Sequence, residues 1–266
     1  MDNRPIGFFD SGLGGLTSVH ELHEKLPNEK VIYFGDTART PYGSKSPDTI
    51  REFATQIVDF LVSKDVKMII IACNTVTAMA LDLLRERYPD IPILGVIEPT
   101  VRKVVNDGCS KVGVIATKAT IGSDVYGKSI KEMNPDIEVY SKACPAIVPL
   151  VEEGFIDDKV MELLVQEYMD DFVRENDFDN LILGCTHYPL VAGHFKKLYP
   201  EITLYNSSAE VVNEAVQILE ERDMLAGNSD LNDRYYASDL SDNFIAMTDL
   251  LCKDRESRIK LVKLEN

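Results

Sequence analysis

Short runs of apolar residues recur along the chain. Each is closed by a polar turn and followed by a stretch whose apolar positions return at helical spacing. The runs at residues 6–9, 31–34, 69–71, 93–96, 112–115, 137–140, 181–184 and 202–205 are too short for buried helices and rich in Ile, Val and Phe, so they read as strands. Between them the periodicity predicts helices over residues 16–26, 47–63, 76–88, 125–133, 159–174, 188–198 and 209–222, with another ending near Asn106. The helix at 47–63 has the clearest signals: Ser46 as its cap, Pro47 at its first position, and Ile50, Phe53, Ile57, Phe60 and Leu61 along one face. A loop at 227–233, a strand at 234–238, a helix at 240–251 and a last strand around 259–264 are expected to return to the first half. Mostly apolar strands alternating with helices imply parallel sheets covered on both faces.

The pattern is duplicated. Ile69-Ile70-Ile71-Ala72-Cys73-Asn74-Thr75 matches Leu181-Ile182-Leu183-Gly184-Cys185-Thr186-His187, with the two cysteines 112 residues apart (185 − 73). Gly7-Phe8-Phe9-Asp10-Ser11-Gly12 aligns with Gly113-Val114-Ile115-Ala116-Thr117-Lys118 at an offset of 106 (113 − 7). The expected fold class is therefore α/β: two pseudo-symmetric doubly wound domains with mainly parallel sheets and an active site in the cleft between them. Residues 1–98 and 208–266 are expected to form the first domain, carrying Cys73, and residues 99–207 the second, carrying Cys185. Glu98-Pro99 reads as the hinge.

Ligands of such sheets sit beyond the carboxyl ends of the strands. That position singles out Asp10, Ser11, Asp36, Tyr42, Gly43, Cys73, Asn74, Thr75, Thr117, Thr120, Cys185, Thr186 and His187. The set is poor in Lys and Arg, so an anionic ligand would rest on backbone N–H groups, hydroxyls and amides. A small zwitterion with carboxylates fits better than a polyphosphate. The turn Gly12-Leu13-Gly14-Gly15 is expected to let the backbone approach a ligand, but it lacks the spacing of a dinucleotide fingerprint. Thr117 and Thr120 are expected in a turn, and residues 149–154 in a loop that carries Glu152.

Cys73 and Cys185 each end an apolar run and precede polar residues. A thiol at a helix start is expected to ionise closer to neutrality, which makes it a proton acceptor, and a neutral thiol in the same setting is a donor. Two thiols facing one another across a cleft suit chemistry on opposite faces of one carbon. Three rivals use the same residues. Zinc held by Cys73, Cys185 and His187 has only three ligands in sight. A Cys–His nucleophile leaves the second cysteine unexplained. An amino-acid binding protein needs no thiol pair. His187, two residues after Cys185, reads as an acid or base partner to that thiol, and Glu152 is a weaker candidate. Cys109, Cys144 and Cys252 read as packing residues, and His20, His23 and His194 as surface or packing residues.

Composition narrows the setting. At 266 residues the chain can hold one large domain or two modest ones. A formal net charge of −16 disfavours nucleic acid as a partner. No run of about 20 apolar residues is present, so no membrane span is expected. The start, Met1-Asp2-Asn3-Arg4-Pro5, leads straight into a strand without the apolar core of a signal peptide, and a cytoplasmic location is expected. Five cysteines without a C-x-x-C pair argue against a disulfide framework and a structural zinc site. A homodimer is compatible with the sequence.

Four motifs together, Asp10-Ser11-Gly12-Leu13-Gly14-Gly15, Pro41-Tyr42-Gly43, Ala72-Cys73-Asn74-Thr75 and Gly184-Cys185-Thr186-His187-Tyr188-Pro189, resemble bacterial glutamate racemase over nearly the whole chain. The resemblance implies a cofactor-independent isomerase of two α/β domains that interconverts L- and D-glutamate and supplies D-glutamate for peptidoglycan. It implies that Cys73 and Cys185 are the acid/base pair, assisted by Asp10, Asp36, Glu152 and His187. Ser11, Tyr42, Gly43, Asn74, Thr75 and Thr186 would bind substrate together with Asp10 and His187, and Thr117 and Thr120 are further candidates. The resemblance suggests Cys185 for the L-enantiomer and Cys73 for the D-enantiomer. An aspartate racemase of the same superfamily is the nearest rival.

Overall fold

A computed structural model describes residues 1–227, 232–252 and 258–264; the loop expected over 227–233 lies in part, at 228–231, outside the described residues. The first half runs β1 (Ile6–Asp10), α1 (Leu16–Lys25), β2 (Val31–Gly35), α2 (Pro47–Val62), β3 (Met68–Ile71), α3 (Asn74–Arg87) and β4 (Ile93–Gly95). The second runs α4 (Ile97–Asn106), β5 (Lys111–Ala116), α5 (Lys118–Ser123), α6 (Val125–Met133), β6 (Glu138–Ala143), α7 (Ile147–Glu152), α8 (Lys159–Asn176), β7 (Asn180–Gly184), α9 (Ala192–Leu198) and β8 (Thr203–Asn206). The chain ends with α10 (Ser207–Glu221), β9 (Arg234–Ala237), α11 (Asp242–Leu251) and β10 (Arg258–Leu261).

Two sheets result, with strand orders β10-β9-β2-β1-β3-β4 and β6-β5-β7-β8, and every pairing is parallel. The order β2-β1-β3-β4 in the first sheet is repeated as β6-β5-β7-β8 in the second. The registers agree as well: Gly7 sits beside Ile69, and Gly113 beside Leu181. The sequence duplication is therefore a duplication of topology, and it sets Cys73 and Cys185 at equivalent strand ends. The chain end adds β9 and β10 to the outer edge of the first sheet, next to β2.

Strand alternation distributes the core over three layers. Ile6, Phe8, Met68 and Ile70 of the first sheet and Val112, Val114 and Ile182 of the second meet one cluster between the sheets, filled by residues of α1, α4, α6 and α10. The alternate residues Phe9, Ile69 and Ile71 face α2 and α3, and Ile115, Leu181 and Leu183 face α7 and α8. Burial on both faces is why these strands are apolar throughout.

Some local readings differ. Residues 147–152 form the helix α7 rather than a loop, and Pro149 sits in its first turn, where a missing N–H costs nothing. Glu98-Pro99 is likewise the first turn of α4 and not a hinge; Arg85 grips Glu98 with two bonds of 2.8 and 2.9 Å. Thr117 is the cap of α5 and not a turn residue, its hydroxyl accepting from the Thr120 N–H. Residues 188–191 form a 3-10 turn before α9.

Candidate active site

The loops after β1, β2, β3 and β7, together with α5 and α7, enclose a cavity of about 350 Å³. Its lining includes Ser11, Tyr42, Gly43, Cys73, Asn74, Thr75, Thr117, Glu152, Cys185, Thr186 and His187. Asp10, Asp36 and Thr120 of the expected set are buried just outside it. Thr40, Pro41, Ser44, Lys118, Pro145, Val148 and Pro149 also line it. Those from α7 went unread because that segment resembles a loop in sequence.

Cys73 caps α3, and its thiol donates to Ser11 Oγ over 3.4 Å. The expectation of a thiol ionising near neutrality is reversed here: burial, reinforced by the Asp10 carboxyl, pushes Cys73 up to about 12. Desolvation outweighs the helix start, so Cys73 rests as a neutral thiol. Cys185 directly follows β7, with its sulfur 3.9 Å from His187 Nδ1. On the far side of that ring Nε2 lies 3.1 Å from Glu152 Oε1. Burial pulls the imidazole's proton affinity down, but the bonds to Cys185 and Glu152 overcome it and bring His187 up to about 10. His187 is thus a buried imidazolium at neutral pH. Asp10 is fully buried; burial raises it, opposed by the His187 charge and the Gly15 and Gly12 N–H groups. Its carboxylate accepts from the Gly12 N–H at 3.0 Å and from the Thr186 hydroxyl at 3.4 Å.

The remaining polar residues mostly hold one another. Thr75, Thr117 and Thr120 form a triangle of hydroxyls with edges of 3.0, 3.1 and 3.3 Å, joining α3 to α5. Asn74 accepts from the Tyr126 hydroxyl at 2.7 Å and donates to Ser207 Oγ at 3.3 Å, leaving one amide proton for the cavity. Tyr126 and Ser207 gave no sequence signal for this role. Asp36 accepts from Arg39 Nε at 2.7 Å and from the Tyr42 hydroxyl, so it anchors the loop that lines the cavity. The glycines after β1 act differently from the expectation. A Cβ at Gly14 would lie 2.4 Å from Thr186 Oγ1 and 2.5 Å from His187 Nδ1, and one at Gly15 2.5 Å from Asp10 Cβ. They make room for the Thr186, His187 and Asp10 side chains rather than for a ligand. Among the described residues, no three His, Cys, Asp or Glu side chains converge as metal ligands, and no helix is long and apolar enough to cross a membrane.

These ionisations predict a stability that falls with alkali. The folded state holds the His187 proton to about 10, against about 6.5 for an unfolded histidine, so this contribution is full below about 6.5 and lost as pH rises through about 10. Cys73 acts in the same direction, since the unfolded thiol ionises near 8.5 and the folded one near 12. Urea midpoints measured at pH 7, 8.5 and 10 should decline steadily. A flat series would mean that His187 gains no proton affinity on folding.

A duplicated half-sheet that delivers one thiol per copy to a shared cavity places the chain in a defined class: it belongs to the Asp/Glu/Hydantoin racemase family, whose sequence profile matches residues 16–217. Among individual relatives it is 42% identical to the glutamate racemase of Geobacter metallireducens, covering 100% of this chain and 98% of that protein. It is 44% identical to the glutamate racemase of Streptococcus pneumoniae, with 92% and 93% covered. The glutamate racemase of Francisella tularensis, solved in complex with D-glutamate, superposes with a TM-score of 0.93 at 41% identity, covering 100% of this chain and 99% of that one.

Proposed function

We propose that this chain interconverts L- and D-glutamate without a cofactor, using Cys73 and Cys185 as its two acid/base groups, and that it provides D-glutamate for peptidoglycan in the cytoplasm. One observation carries the reading: each thiol follows the equivalent strand of a duplicated sheet, and both line one cavity. The similarity to glutamate racemases supports glutamate over aspartate as substrate.

The reaction moves one proton at a time. A thiolate on one face takes the Cα proton and becomes a thiol, the electron pair stays on carbon, and the thiol on the other face protonates it and becomes a thiolate. Charge and proton count are conserved, and the enzyme ends in the complementary protonation state. Cys73, held neutral, starts as the donor; on the resemblance to glutamate racemases, Cys185 meets the L-enantiomer and Cys73 the D-enantiomer. A thiolate at Cys185 has the His187 imidazolium to pair with. The hydroxyls of Ser11, Thr75, Thr117 and Thr186 and the Asn74 amide hold the carboxylates, and Tyr42 and Gly43 close one side. The carbanion forms away from bulk water, where fixed donors act most strongly. Asp10, Asp36 and Glu152 assist from behind these groups. Residues 1–98 with 208–266, and 99–207, are the two bodies that meet across the substrate.

Circular dichroism of L-glutamate with purified protein and no added cofactor tests the activity: the signal should decay to zero. In deuterated water, product should acquire label at Cα while recovered substrate stays unlabelled early on. Label entering recovered L-glutamate as fast as product forms would exclude two thiols and point to a single base. A signal that decays with aspartate but not glutamate would move the substrate.

A further inference from the structure

The C-terminal return lies beyond residues 16–217, the stretch that defines the family match, yet it reaches both walls of the cavity. Ser238 directly follows β9 and is buried. Its hydroxyl donates to Asp36 Oδ1 at 2.7 Å and accepts from the Ala38 N–H at 2.9 Å. Through its other oxygen, Asp36 takes Arg39 Nε at 2.7 Å and the Tyr42 hydroxyl, and Tyr42 lines the cavity. Asp239 adds a reciprocal pair with Thr37, its N–H donating to Thr37 Oγ1 at 2.9 Å while the Thr37 hydroxyl donates to its carbonyl. Asn243, in the first turn of α11, then donates its amide to the backbone carbonyl of Glu152, the last residue of α7. Residues 238–243 therefore tie a first-half loop to a second-half helix beside the same cavity.

Building on the racemase reading, we infer that Ser238 and Asn243 are positioning residues for the reaction: Ser238 fixes the substrate-facing loop through Asp36, and Asn243 fixes the Glu152–His187 pair. The chemistry of each anchor explains why it matters. Asp36 is a fully buried carboxylate, and removing the Ser238 donor leaves one of its oxygens and the Ala38 N–H without their partner. The carboxylate is then free to turn, and with it the Tyr42 and Arg39 side chains. The last carbonyls of a helix have no partner within it, and Asn243 supplies one for α7. Without that bond the last turn loosens, and the Glu152 carboxylate loses its aim at His187 Nε2.

The test uses the full chain with four substitutions. Ser238→Ala is expected to raise KM for both enantiomers about 10-fold with a smaller change in kcat, the scale of a hydrogen bond to a charged group. Ser238→Thr keeps the hydroxyl and should restore most of that loss. Asn243→Ala, and Asn243→Asp which keeps the shape but not the donor, should lower kcat about 5-fold with little change in KM, the scale of a neutral hydrogen bond. Asn243→Ala, which adds no charge, should also move the His187 imidazole titration, followed by NMR, toward lower pH. The titratable groups facing that ring are Cys185, Glu152 and Asp10, so the shift reports the loss of Glu152 with the other two unchanged. Kinetic constants and His187 titration that match the unsubstituted protein, with only the melting temperature altered, would overturn the inference. The NMR arm needs no turnover, so it decides the Asn243 role even if the protein proves not to racemise glutamate.

Discussion

Cys73→Ala and Cys185→Ala each reduce racemisation of glutamate by at least about 10³-fold in both directions, within the ~10²–10⁴ range of general acid–base groups. On the proposed two-thiol mechanism both directions fail together, because each turnover would use one thiol as base and the other as acid. The two thiols are 5% and 6% exposed and border a cavity, so losing a sulfur opens little new void and the fold should persist. Far-ultraviolet circular dichroism and thermal melting check that point alongside the activity assay. The remaining thiol should still exchange the α-proton of the one enantiomer it faces. Cys185→Ala should therefore wash deuterium out of D-glutamate faster than out of L-glutamate, and Cys73→Ala the reverse. A single variant with near-normal turnover would remove that cysteine from the chemistry, and washout from the opposite enantiomer would exchange the two assignments.

His187→Ala and Asp10→Asn should lower kcat by roughly 10²–10³-fold while KM changes far less. His187 is a buried cation 3.9 Å from the Cys185 sulfur, within reach to pass a proton to it. Removing it leaves a thiolate at Cys185 without that cation in a buried position. The Asp10 carboxyl helps hold the Cys73 thiol protonated and accepts from the hydroxyl of Thr186, the residue after Cys185, so it bears on one thiol directly and on the loop carrying the other. In the unsubstituted protein, turnover should fall as pH rises through about 10, where His187 loses its proton. His187→Ala should lack that limb. An effect on KM alone would recast both residues as substrate ligands.

The strand-and-helix frame was legible because its strands are buried on two faces: Met68-Ile69-Ile70-Ile71 and Leu181-Ile182-Leu183 are continuous apolar runs closed by polar turns and too short for buried helices. The duplication was legible for the same reason, since equal topology demands equal apolar runs at equal spacing. The short helix α7 was not, because a proline in its first turn and Gly154 after its end are also what a loop contains. The ionisation of Cys73 was misread because a helix start is visible in sequence, whereas burial against Asp10 is not. Gly14 is the plainest case. Its reason is a side chain 173 residues away (187 − 14), and only the folded chain shows that contact.

The two thiols have unlike neighbours, a carboxyl beside Cys73 and an imidazolium beside Cys185. Mirror-image substrates have equal free energies in water, so the equilibrium constant of their interconversion is unity and kcat/KM must be identical in the two directions at every pH. The asymmetry of the site therefore cannot bias the final mixture. It can only raise or lower kcat and KM together for one enantiomer, which decides the concentration at which each hand saturates the enzyme. Net flow toward one hand then comes entirely from whatever consumes it downstream.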